Sequence, residues 1–316
     1  MSRWQLKSAM SHGLKWLLRL PADALLASSS KLPAKFQKYY PYPARAAAPG
    51  VSVPGYLRAG GLDLYILRKS RPNGQECGED GLPIPPQYLR AGYGATVEIW
   101  LNGGKSDIDK MMTLLNSSDF SVQKGNRILD FGCGPGRMIR WLAGLAEKCE
   151  IWGVDVSARH IVWCQENLSP PFNFATVTTL PHLPFEDNYF DLIYCGSVFT
   201  HIDDLADAWL LEVKRIVRPG GRVYITVHDK HTADLVINHI DLTPYAGDLR
   251  EFLSPYNKYV NFVTSDYYKL SISPGDPESQ VFYDIDYLRQ HWGRILKIIS
   301  VTPEAYGYQT AVLLEK

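Results

Sequence analysis

The 316-residue sequence has no net charge and few cysteines, and each shortage excludes a class of protein. Its 33 Lys and Arg residues balance its 33 Asp and Glu residues, so the chain as a whole does not attract nucleic acid or an acidic surface. The five cysteines are scattered, and no two of them form a Cys-x-x-Cys pair. This is typical of reduced thiols, and we expect a cytoplasmic protein.

A long apolar run is missing from the N-terminus as well. Residues 2 to 20 contain four basic and no acidic side chains, and leucines recur among them at helical spacing. Residues 1–30 are therefore predicted to hold a basic amphipathic helix, too short and too charged to span a bilayer. Arg19 interrupts the apolar run of a secretory signal. The helix either docks on the protein, contacts a membrane surface or serves as a targeting segment.

Proline, glycine and aromatic residues divide the rest of the chain. Residues 31–86 are rich in proline and glycine, which predicts an extended arm or linker. The globular domain is expected over 87–316, and its first part is predicted to hold two helical stretches separated by Gly103-Gly-Lys105. Residues 242–283 interleave aromatics with charges and are predicted to form an insertion on the acceptor side of the sheet.

The central stretch is Arg127-Ile-Leu-Asp-Phe-Gly-Cys-Gly-Pro-Gly-Arg137. An apolar run breaks into three alternating glycines and then opens an amphipathic helix, which predicts a strand, a tight turn and a helix N-terminus. Free backbone N–H groups at such a turn favour a polar or anionic ligand group, and glycine lets it approach the chain. Taken alone the pattern is weak, because a plain turn between strand and helix has the same glycines.

Strands and helices alternate from Arg127 for nearly a hundred residues. This alternation predicts an α/β fold with a parallel sheet and helices on both faces. Asp155 is predicted to end the second strand, about twenty residues after the glycines, where a carboxylate can accept both hydroxyls of a ribose. An alternative is that Asp155 caps the helix that follows. The ribose role fits a dinucleotide as well as other nucleosides.

The spacing of the glycines distinguishes a dinucleotide from other nucleosides. A dinucleotide fingerprint has its third glycine three residues after the second, where this sequence has Arg137. With Asp130 two residues before Gly132, the run resembles motif I of the class I S-adenosylmethionine (SAM)-dependent methyltransferases. The resemblance implies that SAM is the cofactor and that it is bound by the loop and by the end of the second strand: Asp130, Gly132, Cys133, Gly134, Pro135, Gly136, Arg137, Asp155, Val156 and Ser157.

A second stretch strengthens the resemblance. Leu183-Pro-Phe185, a short acidic turn and Phe190-Asp-Leu-Ile193 are similar to the segment that leads into the family's fourth strand. In the family an aspartate before this segment often contacts the adenine amino group. Thr179 and Leu180 occupy the matching position here, so a threonine hydroxyl or the backbone would replace that contact. Arg218-Pro-Gly-Gly221 and the following strand resemble motif III.

Candidate acceptor-side residues follow the fourth and fifth strands. Gly196 and Ser197 leave room for the methionine part of SAM, and His201 is a candidate general base because a neutral imidazole can take a proton near pH 7. A structural histidine at a helix start is the alternative. His228, with Asp229 and His231, is a second acceptor-side candidate; without a spaced partner cluster no metal site is predicted.

The sequence is thus identified as a member of the class I methyltransferases. The resemblance implies a Rossmann-like, seven-stranded, mostly parallel sheet with an antiparallel last strand. We expect methyl transfer from SAM to an oxygen or nitrogen of a small-molecule acceptor, with no nucleic-acid partner. Two alternatives stay open: an NAD(P)-dependent oxidoreductase with a Rossmann fold, and a non-catalytic SAM-fold partner protein. The sequence does not indicate the oligomeric state.

Overall fold

The computed structural model describes residues 56–59, 62–65, 76–90, 92–93, 96–239, 241, 246–256, 268–274 and 279–316. The chain divides into two units, residues 1–72 and 73–316. In the first unit, β1 (Tyr56–Ala59) and β2 (Leu62–Tyr65) form an antiparallel hairpin. The helix predicted over 1–30 lies outside the described residues, as does most of the predicted arm.

The second unit is an α/β structure built around one large sheet. Its strands are β3 (Arg127–Phe131), β4 (Glu150–Asp155), β5 (Asn173–Thr176), β6 (Phe190–Cys195), β7 (Val217–Asp229), β8 (Lys269–Ile272), β9 (Gln280–Tyr283), β10 (Lys297–Tyr306) and β11 (Gln309–Glu315). Its helices are α1 (Val97–Asn116), α2 (Ala143–Ala146), α3 (Ala158–Asn167), α4 (Ala206–Ile216), α5 (Lys230–Asn238), α6 (Gly247–Leu253) and α7 (Ile285–His291). Short 3-10 turns cover Gln87–Leu89, Ile139–Leu142, Ser254–Tyr256 and Trp292–Arg294.

The strand order is β10-β11-β7-β6-β3-β4-β5. Neighbours from β7 to β5 pair in parallel, whereas β11 is antiparallel to both β7 and β10. The Rossmann-like sheet with an antiparallel last strand is thereby confirmed. The strand order reverses between β3 and β6, and open α/β sheets bind ligands outside the carboxyl ends of the strands at such a reversal.

The seven predicted strands form the main path of the sheet, and the described residues add two more. The additional strands are β8 and β9, which pair with each other, and β9 also pairs in parallel with the end of β7 at His228 and Asp229. Both lie in the predicted insertion, where charged and aromatic residues obscure the alternation that marks a half-buried strand. The two strands therefore extend the sheet beside the end of β7.

Apolar side chains cover both faces of the sheet. All six residues of β6 are buried, as a central parallel strand covered on two faces requires. One core cluster joins β6 and β7 to α4 and α7, and another lies between the opposite face, α1 and α3. This packing fixes the strand ends from which the candidate site is built.

The two helical stretches predicted around Gly103 are a single 20-residue helix, α1. It begins at the N-cap Thr96, whose side chain accepts a hydrogen bond from the Ile99 N–H at 3.2 Å. Each internal glycine weakens a helix by about 1 kcal/mol relative to alanine. Tertiary packing outweighs that cost here, because a Cβ at Gly104 would lie 2.2 Å from the carbonyl oxygen of Arg137.

No helix among the described residues is long and apolar enough to cross a membrane.

Candidate cofactor and acceptor site

The loop after β3 has one open side. Its three glycines adopt positive φ angles, 84° at Gly132, 52° at Gly134 and 84° at Gly136. A side chain at Gly132 would meet Val198 at 2.3 Å, and one at Gly136 would meet Leu168 at 2.4 Å. At Gly134 a Cβ would have no neighbour within 4 Å. The loop is therefore closed against the protein at its two outer glycines and open at the middle one.

Asp155 joins this loop to the end of β4. Its Oδ2 accepts a hydrogen bond from the Gly134 N–H at 2.8 Å, and its Oδ1 accepts from the Ser157 N–H at 2.7 Å. Val156 and Ser157 are half-buried beside it. A carboxylate has about four lone-pair sites, so Asp155 can still accept two hydroxyl donors. The N-cap of α3 is Ser157, without a side-chain cap hydrogen bond, so Asp155 does not cap this helix and its contact to Ser157 closes the turn before it.

Asp130 is a buried carboxyl group without a full set of partners. It is 2% exposed, and its Oδ2 has no hydrogen-bond partner in the part of the chain that the structure describes. Burial, reinforced by the nearby charge of Asp155, raises the pKa of Asp130 to about 8, although Tyr194 and Arg137 oppose the shift. A ligand that brings an ammonium or N–H donor to the loop would supply the missing partner.

Cys133, Pro135 and Arg137 are buried in the base of the loop rather than at its open side. The Arg137 guanidinium makes an ion pair with Asp107 of α1 at 2.7 Å and donates a hydrogen bond to the Tyr306 hydroxyl. Burial raises the pKa of the Cys133 thiol well above its ordinary value, and Cys164 adds to the shift. These residues support the loop by packing and hydrogen bonding. Arg137 connects the loop to α1 through Asp107 and to the β10–β11 hairpin through Tyr306.

Thr179 and Leu180 lie in the exposed loop after β5. The Val177 N–H donates to the backbone oxygen of Asp155 at 3.0 Å, which keeps the start of this loop next to the ribose candidate. Leu180 is 56% exposed.

A polar network fixes the chain after β6. Ser197 has a positive φ of 57°, which is uncommon for a residue with a side chain. Its N–H donates to Thr226 Oγ1 at 2.7 Å, and its Oγ accepts from Gln309 Nε2 at 2.9 Å and lies 3.2 Å from Thr200 Oγ1. These contacts over-determine the local backbone, as is typical of residues held at functional sites.

Gly196, directly after β6, lets the Tyr306 ring pack closely against the backbone. A Cβ there would meet the Tyr306 ring at 2.8 Å and Met138 Sδ at 3.1 Å. The ring that receives the Arg137 hydrogen bond therefore packs directly on the β6 end. Any larger side chain at position 196 would displace it.

His201 has a defined tautomer. Its Nδ1 lies 2.8 Å from the backbone oxygen of Ser279, and since a carbonyl only accepts, Nδ1 carries the proton. Nε2 is then unprotonated in the neutral ring and has no hydrogen-bond partner among the described residues. The side chain reaches solvent, yet surrounding protein desolvates it and lowers its pKa, against the effect of the Ser279 carbonyl. This combination suits a general base on the wall of a crevice.

His228 is buried at the end of β7, and neither ring nitrogen has a hydrogen-bond partner in the described part of the chain. Burial, helped by His201, lowers the pKa of His228 to about 3. Asp229 serves a structural purpose instead: its carboxylate accepts from the Thr232 N–H and from Thr310 Oγ1, both at 2.8 Å.

Part of the chain is similar to a known protein family. The family model described as "Methyltransferase domain" matches residues 129–225, which run from the glycine loop into β7. Over these residues the chain matches the methyltransferase domain family. It is 32% identical over 111 residues to an uncharacterized methyltransferase of Schizosaccharomyces pombe, covering 32% of this chain and 40% of that protein.

The chain is also similar to a curated C-methyltransferase and to a protein of known structure. The chain is 28% identical to a ubiquinone/menaquinone biosynthesis C-methyltransferase of Cupriavidus pinatubonensis, covering 41% of this chain and 53% of that one. A protein of known structure from Pyrococcus horikoshii is 19% identical, with a TM-score of 0.46, and the match covers 73% of this chain and 99% of that one. The chain spans between two fifths and about half the length of the curated relatives it matches.

SAM is the cofactor of this methyltransferase family, and the residues present fit it. The open side of the loop at Gly134 leaves space for a ligand, and Asp155 can accept from ribose hydroxyls. The orphaned Oδ2 of Asp130 lacks the kind of donor that the amino group of SAM carries. No group of three or more His, Cys, Asp or Glu residues that could hold a metal ion occurs in the described ranges.

Sequence reasoning missed five residues that contact the predicted site residues: Asp107, Thr226, Ser279, Tyr306 and Gln309. They come from α1, β7 and the last third of the chain, and each reaches the site only through the sheet order. None carries a local motif. The single signal available was the Gly103-Gly104 pair, which marks a close helix contact once α1 is known to be continuous.

Proposed function

We propose that the protein catalyses methyl transfer from SAM to a small-molecule acceptor. The observation that carries the proposal is the open side of the glycine loop at Gly134, held by Asp155 and lying beside the orphaned carboxyl group of Asp130. The open middle glycine lies between two glycines whose Cβ positions are blocked by Val198 and Leu168, and its N–H is held by Asp155. A buried acid without a partner would also be costly without a ligand.

When bound, SAM supplies a methyl carbon made electrophilic by the neighbouring sulfonium. Asp155 would accept hydrogen bonds from the ribose hydroxyls, and Asp130 would accept one from the amino group. The Ser197 backbone, fixed by Thr226 and Gln309, would shape the wall beside the methionine part. Much of the catalysis would then be positioning, since a well-oriented pair of reactants needs little further chemical help.

His201 would act as the general base. The proton on Nδ1 is held by Ser279, so Nε2 is the atom that would receive the acceptor proton. We favour an oxygen or nitrogen acceptor because these atoms lose a proton on methylation and a base with a lowered pKa is present. Carbon remains the alternative acceptor atom, since one relative is described as a C-methyltransferase.

The test is calorimetry with S-adenosylhomocysteine, and NADH is titrated as the competing ligand. We expect S-adenosylhomocysteine to bind and NADH not to bind. Gly134→Val should abolish binding, because a branched side chain would fill the open side of the loop. The matched control is Gly144→Ala, a helical glycine whose Cβ would also have no neighbour within 4 Å.

Binding of NADH alone would overturn the proposal in favour of an oxidoreductase. Normal S-adenosylhomocysteine affinity in folded Gly134→Val would show that the loop is only a turn. Circular dichroism of both glycine variants separates lost binding from lost folding.

A further inference from the structure

Two buried polar side chains near His201 lack partners. His228 is 2% exposed and Ser279 is 1% exposed. Both ring nitrogens of His228 and the Oγ of Ser279 have no hydrogen-bond partner among the described residues. A buried polar group without a partner destabilises the fold. Both residues neighbour His201, which indicates a ligand there that would satisfy them.

The insertion brings these groups together. Strand β9 pairs with the end of β7 so that Phe282 lies opposite His228. The Val281 N–H donates to the backbone oxygen of Thr200 at 2.8 Å. His201 Nδ1 donates to the oxygen of Ser279 at 2.8 Å. The segment after β6, the end of β7 and the residue before β9 thus form one cluster, the acceptor cluster, made of His201, His228 and Ser279.

The acceptor cluster is uncharged. Burial keeps His228 neutral at physiological pH, so its ring offers one donor and one acceptor. Among the described residues, only the neighbouring His201 ring adds to the pKa shift of His228 electrostatically, and no lysine or arginine affects the pKa of either ring. A carboxylate or phosphate would lose its hydration here without finding a counter-charge among the described residues.

Two aromatic rings pack against His228. The Phe282 ring centroid is 4.9 Å from that of His228, and the Tyr308 centroid is 5.9 Å away. Aromatic walls with a few polar atoms are typical of sites for flat, mainly apolar ligands. The polar atoms then fix the orientation of a hydroxyl group.

Resting on the proposed methyl transfer, we propose that the acceptor cluster binds an uncharged, hydroxyl-bearing ring compound of the phenol or enol class. His228 and Ser279 hydrogen-bond the polar edge of the acceptor and position it. The acceptor O–H bond breaks and its proton passes to Nε2 of His201. An oxygen lone pair forms the new bond to the methyl carbon, and the electrons of the broken S–C bond stay on sulfur.

The experiment compares two probes of the same shape, 2-naphthol and 2-naphthoate. Each is titrated into the full chain saturated with S-adenosylhomocysteine, and binding is followed by ligand-observed NMR. We expect 2-naphthol to bind at least tenfold more tightly than 2-naphthoate. His228→Leu should weaken 2-naphthol binding at least tenfold and Ser279→Ala several-fold. His182→Leu, at a side chain that is 79% exposed, is the matched control and should change nothing.

The thermal midpoint supplies a second readout. Because His228→Leu removes unpartnered buried nitrogens, it should leave the midpoint equal or higher while binding is lost. A lower midpoint with unchanged 2-naphthol affinity would show that His228 only packs. Equal or tighter binding of 2-naphthoate, or no binding of either probe at millimolar concentration, would overturn the inference. Failure of S-adenosylhomocysteine to bind in the same samples would instead overturn the proposed function.

Discussion

Replacement of Gly104 by alanine tests how tightly α1 is seated on the glycine loop. The new Cβ would lie 2.2 Å from the Arg137 carbonyl oxygen and 3.0 Å from the carbonyl carbon. Both atoms are backbone and cannot rotate away. To reach van der Waals distance, α1 and the loop must separate by about 1 Å.

The expected destabilisation follows from three contributions. Overpacking costs about 1–3 kcal/mol. The separation also strains the buried Arg137–Asp107 ion pair, and breaking such a pair outright costs about 3–5 kcal/mol. Alanine returns about 1 kcal/mol through its better helix propensity. We therefore expect Gly104→Ala to lower the free energy of unfolding by about 2–4 kcal/mol.

Gly103→Ala is the matched control in the same helix. Its Cβ would lie 3.4 Å from Nη1 of Arg137, the end of a flexible side chain. Propensity then dominates, and this variant should be neutral or more stable by up to about 1 kcal/mol. Urea unfolding of the wild type and both variants measures the difference.

Calorimetry with S-adenosylhomocysteine extends the test from stability to the site. Since Arg137 directly follows Gly136, a shift of its backbone should weaken binding by Gly104→Ala about tenfold, whereas Gly103→Ala should bind normally. If the two variants are equally stable, α1 is not seated on Arg137 as described. If Gly104→Ala is destabilised but binds normally, the loop does not depend on α1.

Three further predictions concern single side chains. Asp155→Ala should weaken S-adenosylhomocysteine binding by about 1–3 kcal/mol, and unchanged affinity by calorimetry would contradict its ribose role. Because the pKa of Asp130 is raised to about 8, the stability linked to it is present below about pH 4 and is lost as the pH rises towards 8. Asp130→Asn should therefore remove this loss in urea titrations at pH 5, 7 and 9, and an unchanged pH slope would refute the assignment. Long-range ¹H–¹⁵N NMR at pH 7.5 should show His201 neutral with its proton on Nδ1, and an imidazolium signal would exclude it as a base.

The sequence predicts that the glycine loop and Asp155 lie together, and the structure shows a hydrogen bond between them. A strand, three glycines and a helix start lie within one short stretch, and Asp155 ends the next strand, so spacing alone places them together. Periodicity likewise predicts the parallel sheet. The continuous α1 could not be predicted, because the reason for its glycines is a contact with Arg137 from another element.

The acceptor half could not be predicted in the same way. His201 and His228 were singled out by their positions after β6 and β7, but Ser279 carries no motif and reaches His201 only because β9 joins the sheet edge. Gln309 is similar: its amide enters the network at Ser197 from a hairpin on the other side of β7. Long-range pairing of this kind is decided by tertiary structure and leaves no local pattern.

The β10–β11 hairpin has a consequence for how the protein is made. Tyr306 contacts Arg137 across 169 positions of sequence, and Gln309 contacts Ser197 across 112. During synthesis the glycine loop therefore leaves the ribosome long before the residues that brace it, since a growing chain folds from its N-terminal side. A fragment limited to residues 129–225 would lack Asp107, Tyr306 and Gln309. Ribosome-bound chains stalled before Gln309 has been added should accordingly bind S-adenosylhomocysteine poorly, although their first strands have already been made.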